Sequence, residues 1–250
     1  MCGAPNDIER FHASVATLKR LLQYESPPTP SMGPTSRTPI LCDNTTDAID
    51  ALTKSLLDTG SDKAVTLQRL WAVCHLDKAS VATTVTQGKT LEVVLQMRLA
   101  SPDVNYWLSA FLEAVTATHG FAIHDVPALK QPFLAMLDKL LKVPDPTGVY
   151  LDSKCTAAAC VVNLVHMGGA AAAAMITEND VAAPPLLPHL CDLLEMKRTA
   201  AQLVGLRALW RVAYYCPHVR PLVVAHTKHL NDSTNKDLAR VLQHVRGWEG

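Results

Sequence analysis

The chain has 250 residues, with 23 Lys+Arg balanced by 23 Asp+Glu, so its formal net charge is zero. That balance argues against a dedicated nucleic-acid binder, which carries a basic excess on one face. Hydrophobic residues reach 48 % while aromatics are only 5 %, so the apolar load is Ala, Leu and Val. This composition favours helices and argues against a β-rich fold.

Along the chain, residues 6–24 read as an amphipathic helix in which Ile8, Phe11, Val15, Leu18 and Leu22 recur at helical spacing. Residues 25–44 hold Pro27, Pro28, Pro30, Pro34 and Pro39 among Ser and Thr, the composition of a linker. Within it, Ser26, Thr29 and Thr38 each precede a proline and are candidate phosphorylation sites. Residues 45–250 then read as a succession of helices. Expected spans are 46–59, 61–76 capped by Ser61, 79–87, 89–100 and, after the Ser101-Pro102 start signal, 102–119. Pro127 opens a helix to Lys142, and Val143–Gly148 is a loop. Asp152 or Ser153 begins a helix to Met167, followed by 170–176, 186–196, 199–216 and 219–229. Asp232 or Ser233 is expected to cap a last helix ending at Gly247. No segment reads as a strand.

The uncharged stretch from Cys155 to Thr177 is Ala-dominated and interrupted by Gly168-Gly169. Two buried helices meeting at the glycine pair account for it better than a membrane span, which needs about 20 strongly apolar residues. The opening residues carry no apolar core of a secretory signal. Seven cysteines, an odd number with no CxxC pair, read as reduced thiols in a cytoplasmic or nuclear protein.

One block repeats. Leu67-Gln-Arg-Leu-Trp-Ala-Val-Cys-His-Leu76 matches Leu206-Arg-Ala-Leu-Trp-Arg-Val-Ala-Tyr-Tyr215, and degenerate copies occur at Ser109–Val115 and Ala157–Leu164. Each is apolar on most of its circumference, so it must be covered on several sides. The copies recur about every 40–50 residues, near the spacing of helical repeats.

On these blocks the chain resembles the armadillo-repeat family, whose third helix reads like Ala-Leu-Trp-Ala-Leu-Ser-Asn-Leu. The resemblance spans about residues 45–248. It implies an all-α superhelix, an armadillo-like solenoid of three to four degenerate repeats that presents a concave binding face. In family members of the importin-α type, a Trp and an Asn four residues later hold an extended peptide. The matching pairs here are Trp71 with His75, Ala110 with Ala114, Ala159 with Asn163, and Trp210 with Tyr214. Trp and Asn never coincide, which points away from nuclear-localisation signals and toward another ligand on the same face.

The expected function is therefore a protein-interaction scaffold or adaptor without catalytic activity or cofactor. A protein or peptide partner would bind at Trp71, His75, Asn163, Arg207, Trp210, Arg211 and Tyr214. Core packing is the alternative account of Trp71 and Trp210. The helix at 6–24 would cap the array or dock on a partner. An RNA-associated repeat protein is the second reading and requires Arg69, Arg98, Arg207, Arg211 and Arg220 on one face. A Cys/His enzyme is the third, yet Cys74-His75 point to different faces and Cys160 and His166 lie nearly two turns apart. The His226-Thr-Lys-His229 pair lacks further metal ligands nearby, with Asp232 and Asp237 the nearest carboxylates in sequence.

Overall fold

In the computed structural model, residues 45–76, 89–118, 127–178, 186–230 and 235–248 are described. The helix read at 6–24, the linker at 25–44 with Ser26, Thr29 and Thr38, and the short helix read at 79–87 lie outside the described residues. The described chain is all-α. Its helices are α1 (Thr45–Leu57), α2 (Lys63–Leu76), α3 (Thr90–Leu95), α4 (Pro102–Thr116), α5 (Pro127–Lys142), α6 (Leu151–Thr177), α7 (Leu186–Leu194), α8 (Thr199–Tyr215), α9 (Arg220–Thr227) and α10 (Lys236–Arg246). A 3-10 turn, Pro217–Val219, precedes α9, and no strand occurs among the described residues.

Helix ends follow their capping chemistry. Ser101 is extended (φ −153°, ψ 163°) and its Oγ accepts from the Val104 amide at 3.3 Å, with Pro102 in the first turn. Helix α3 stops at Leu95 instead of running on to Ala100, its end tightening as the Gln96 and Met97 amides donate to the Val93 and Val94 carbonyls at 3.2 and 3.1 Å. Ser61 is not the cap of α2. Asp62 Oδ1 accepts from the Ala64 and Val65 amides at 3.0 and 3.2 Å, because it stands directly before the helix. Ser61 and Lys63 instead reach back to α1, where Lys63 Nζ donates to the Leu56 carbonyl at 2.8 Å. At the last helix the cap is Asn235 rather than Asp232 or Ser233, and its Oδ1 accepts from the Asp237 and Leu238 amides, both at 3.0 Å.

Helix α6 contains the glycine pair. Gly169 has φ 53° and ψ −132°, so the helix bends there as the sequence implies. Only glycine adopts that conformation without strain. Helix α6 is long and apolar enough to cross a membrane by length and composition. Its Ala157, Ala158, Cys160, Val161, Leu164 and Val165 are buried, however, and the helix is packed between α4 and α8.

Two rows of helices emerge from the packing. Helices α2, α4, α6, α8 and α10 pack successively side by side, and α1, α3, α5, α7 and α9 do the same. The four copies of the repeated block fall on α2, α4, α6 and α8, successive members of one row. Helix α4 shows why such blocks are apolar all round. Leu108, Phe111, Leu112 and Val115 are each 0 % exposed, because α2 flanks one side, α6 the other and α5 the back. Each such side chain contributes about 1.5–3 kcal/mol on burial. The core is one connected cluster from Ile49 to Val245.

Polar ties join neighbours within and between rows. Thr53 Oγ1 meets Thr90 Oγ1 at 2.7 Å between α1 and α3. Gln202 Nε2 on α8 donates to the Leu194 and Met196 carbonyls that α7 leaves unpaired. At one point α7 and α8 nearly touch: a Cβ on Gly205 would stand 2.9 Å from Leu193 Cβ.

Candidate partner-binding groove

The repeated helices carry a shared groove. Helix α2 contributes Trp71 and His75, α4 contributes Tyr106, Ala110 and Glu113, and α6 contributes Cys155, Thr156 and Ala159. Together they line a cleft of about 410 Å³. Trp71, Ala110 and Ala159 are the equivalent positions of three repeat copies, one per helix. Residues four apart lie one turn above each other, so His75 joins Trp71 on the same face, their rings 4.6 Å apart edge to face.

Trp71 is half-buried: it packs against the core and also lines the cleft. Its ring lies 5.5 Å from Trp107, which in turn is 5.0 Å from Tyr106. The small Ala110 and Ala159 leave the floor open between these rings and α6. Tyr106, Trp107, Glu113, Cys155 and Thr156 were not among the residues expected from the sequence. A signal for two of them existed, since Tyr106 stands four residues before Ala110 and Glu113 three residues after it, both on its face.

Asn163 is turned away from the role of a peptide clamp. Its Nδ2 donates to Glu113 Oε1 at 3.2 Å and lies 3.4 Å from Thr116 Oγ1, joining α6 to α4. Glu113 is half-buried, and no ion pair to it occurs among the described residues.

The remaining expected residues lie on α8, outside this cleft. Trp210 is half-buried, with Tyr214 at 6.2 Å and His244 at 5.7 Å. Tyr214 is 59 % exposed and makes an edge-to-face pair with Tyr215 at 5.1 Å. Arg211 donates to His166 Nδ1 at 3.0 Å, and Arg207 pairs with Asp237 at 3.4 Å. The arginines needed for an RNA surface have separate engagements. Arg98 lines a different groove beside Lys139 and Lys142, and Arg220 donates to the Ala213 carbonyl and stacks 5.2 Å from the Trp248 ring.

The cysteines carry no activated thiol among those with a marked shift. Burial pushes Cys74 and Cys191 up to about 12 and Cys155 to about 11, and it raises Cys160 well above the ordinary thiol range. The structure keeps Cys74 in the core and His75 in the groove. Cys160 is likewise buried while His166 is exposed. His226 and His229 do have a carboxylate beside them, contrary to the sequence reading: Glu195 at the end of α7 lies 3.8 and 3.6 Å away. Chain folding brings it there from outside the local sequence. No group of three or more His, Cys, Asp or Glu side chains suited to a metal ion occurs among the described residues.

A scan against models of known protein families finds no match to this chain, and a search of curated proteins finds none either.

Proposed function

We propose that the chain is a non-catalytic protein-interaction module, a short armadillo-like solenoid of three to four degenerate repeats that holds a partner segment along its repeated helices. The observation that carries this reading is the cleft in which Trp71, Ala110 and Ala159, equivalent positions of successive repeat copies, line one continuous surface. Row-on-row packing with the repeated blocks in a single row supports the solenoid reading. The exposed aromatic group of Tyr214 and Tyr215 on α8 extends the same reading toward the last repeat. Thiols that burial holds protonated fit a scaffold in a reducing compartment, the cytoplasm or nucleus, better than a thiol enzyme.

The test is partner capture from the native source with the wild type and with a Trp71→Ala/His75→Ala/Trp210→Ala/Tyr214→Ala variant. Circular dichroism verifies that both are equally helical. A His75→Ala/Tyr214→Ala pair, which removes less core contact, accompanies them. Partners lost from both variants support the groove, and partners kept by both place binding elsewhere.

A further inference from the structure

We infer that a second groove, between the end of α3 and the end of α5, receives an acidic segment of a partner protein, one carrying Asp or Glu among apolar residues. This groove lies in the row of helices without the repeated block, apart from the cleft at Trp71. It has a volume of about 690 Å³ and is lined by Gln96–Leu99 on one side and by Asp138, Lys139, Lys142, Val143 and Pro144 on the other. Arg98, Lys139 and Lys142 are exposed, and none of them makes an ion pair or a side-chain hydrogen bond among the described residues. The dipole of α5 favours lysines in its last turn. It does not account for Arg98, which comes from the irregular stretch after α3.

The one carboxylate in the lining is already engaged. Asp138 Oδ1 lies 3.3 Å from His189 Nε2 on α7, and the Asp138 side chain is only 16 % exposed. Three cations thus face the groove against one carboxylate that is held toward a neighbouring helix, and the lining attracts anions. Between the cations, Met97, Leu99 and Val143 are half-buried and give the groove an apolar floor. That alternation of charge and apolar surface fits a protein segment. Single-stranded nucleic acid fits less well, because the lining holds no aromatic ring on which a base could stack. A lipid surface fits less well too, because the apolar side chains lie in the floor and cannot insert among acyl chains.

The test is fluorescence anisotropy of a labelled, blocked octapeptide of alternating Glu and Leu, titrated with the full chain at low salt. Its Gln-Leu counterpart is titrated alongside. The groove variant is Arg98→Gln/Lys139→Gln/Lys142→Gln. A control variant, Lys54→Gln/Lys197→Gln/Arg240→Gln, removes the same charge from exposed positions elsewhere. Circular dichroism verifies equal helicity of all three proteins. The Glu-Leu peptide is expected to bind saturably, the groove variant to bind it at least about fivefold more weakly, and the control variant to bind it as the wild type does. No binding, equal binding by the groove variant, an equal loss in the control variant, or equal affinity for the Gln-Leu peptide overturns the inference. Tighter binding of oligouridylate overturns it, as does sedimentation with phosphatidylserine vesicles that the groove variant abolishes. So does a wild-type dimer that the groove variant dissolves, since a second copy is then the occupant. The cleft at Trp71 is untouched by these substitutions, so either surface can fail without the other.

Discussion

Asn163 on α6 and Glu113 on α4 are joined by a hydrogen bond of 3.2 Å, fifty residues apart in sequence. The bond crosses the seam between two repeated helices and ends at the groove. Asn163→Ala removes a donor from a half-buried carboxylate and is expected to cost about 1–2 kcal/mol. The readout is a lower urea midpoint with an unchanged slope. Asn163→Asp sets two carboxylates within hydrogen-bonding distance and costs more at neutral pH. Like charges raise the pair's proton affinity. That extra loss is therefore present when both are ionised and fades as the pH falls and one becomes protonated. An Asp variant no worse than Ala at pH 7 would contradict the proximity.

Gly205 lets α7 and α8 approach. A Cβ there would lie 2.9 Å from Leu193 Cβ and 3.1 Å from the Leu190 carbonyl oxygen, and backbone cannot give way as a flexible side chain can. Gly205→Ala is expected to destabilise by about 1–3 kcal/mol despite alanine's better helix propensity. Gain of stability on thermal melting would show that the two helices separate freely.

The bend in α6 rests on Gly169. Its added Cβ would be 3.8 Å from the Tyr215 ring, an ordinary contact, so space is not the obstacle. The obstacle is the backbone, with φ 53° and ψ −132°. Gly169→Ala is expected to cost about 1–3 kcal/mol, whereas Gly168→Ala, at a residue without positive φ, is near neutral or stabilising. Comparing the two variants by chemical denaturation checks the assignment.

The buried thiols make stability depend on alkaline pH. Cys74 and Cys191 are held at about 12 in the fold against 9.0 for an ordinary thiol. A raised pKa means that the folded chain keeps protons which the unfolded chain releases. The contribution is thus whole below about pH 9 and is lost as the pH rises from there toward 12. Denaturation at pH 8 and pH 10 is expected to show the decline. In a Cys2→Ser/Cys42→Ser background, Cys155 at about 11 has a thiolate fraction roughly a hundredfold below that of a free thiol. Its labelling in the native state is correspondingly slow, and still faster than that of fully buried Cys160. Rapid native labelling of Cys74, Cys155, Cys160 or Cys191 would overturn this account.

The helices themselves were legible in the sequence because their signals are local. Ser101-Pro102, Pro127 and the Gly168-Gly169 pair punctuate the chain within a few residues, and the structure places a helix start or bend at each. The repeated block was legible too: it reports how many sides of a helix are covered, and α4 is covered on three. Competing local caps were not distinguishable, so Asp62 and Asn235 took the places read for Ser61 and for Asp232 or Ser233. Several neighbouring side chains can accept from a helix's first amides, and only the path of the chain selects one. The groove was half legible. Period alone put Trp71, His75, Ala110 and Ala159 on equivalent faces. Only tertiary packing decided that Asn163 turns toward Glu113, that Arg207 and Arg211 are engaged by Asp237 and His166, and that Glu195 meets His226 and His229. Those pairings depend on the lateral offset between helices, which is set by how side chains interlock across the seam and is written in no single stretch of sequence.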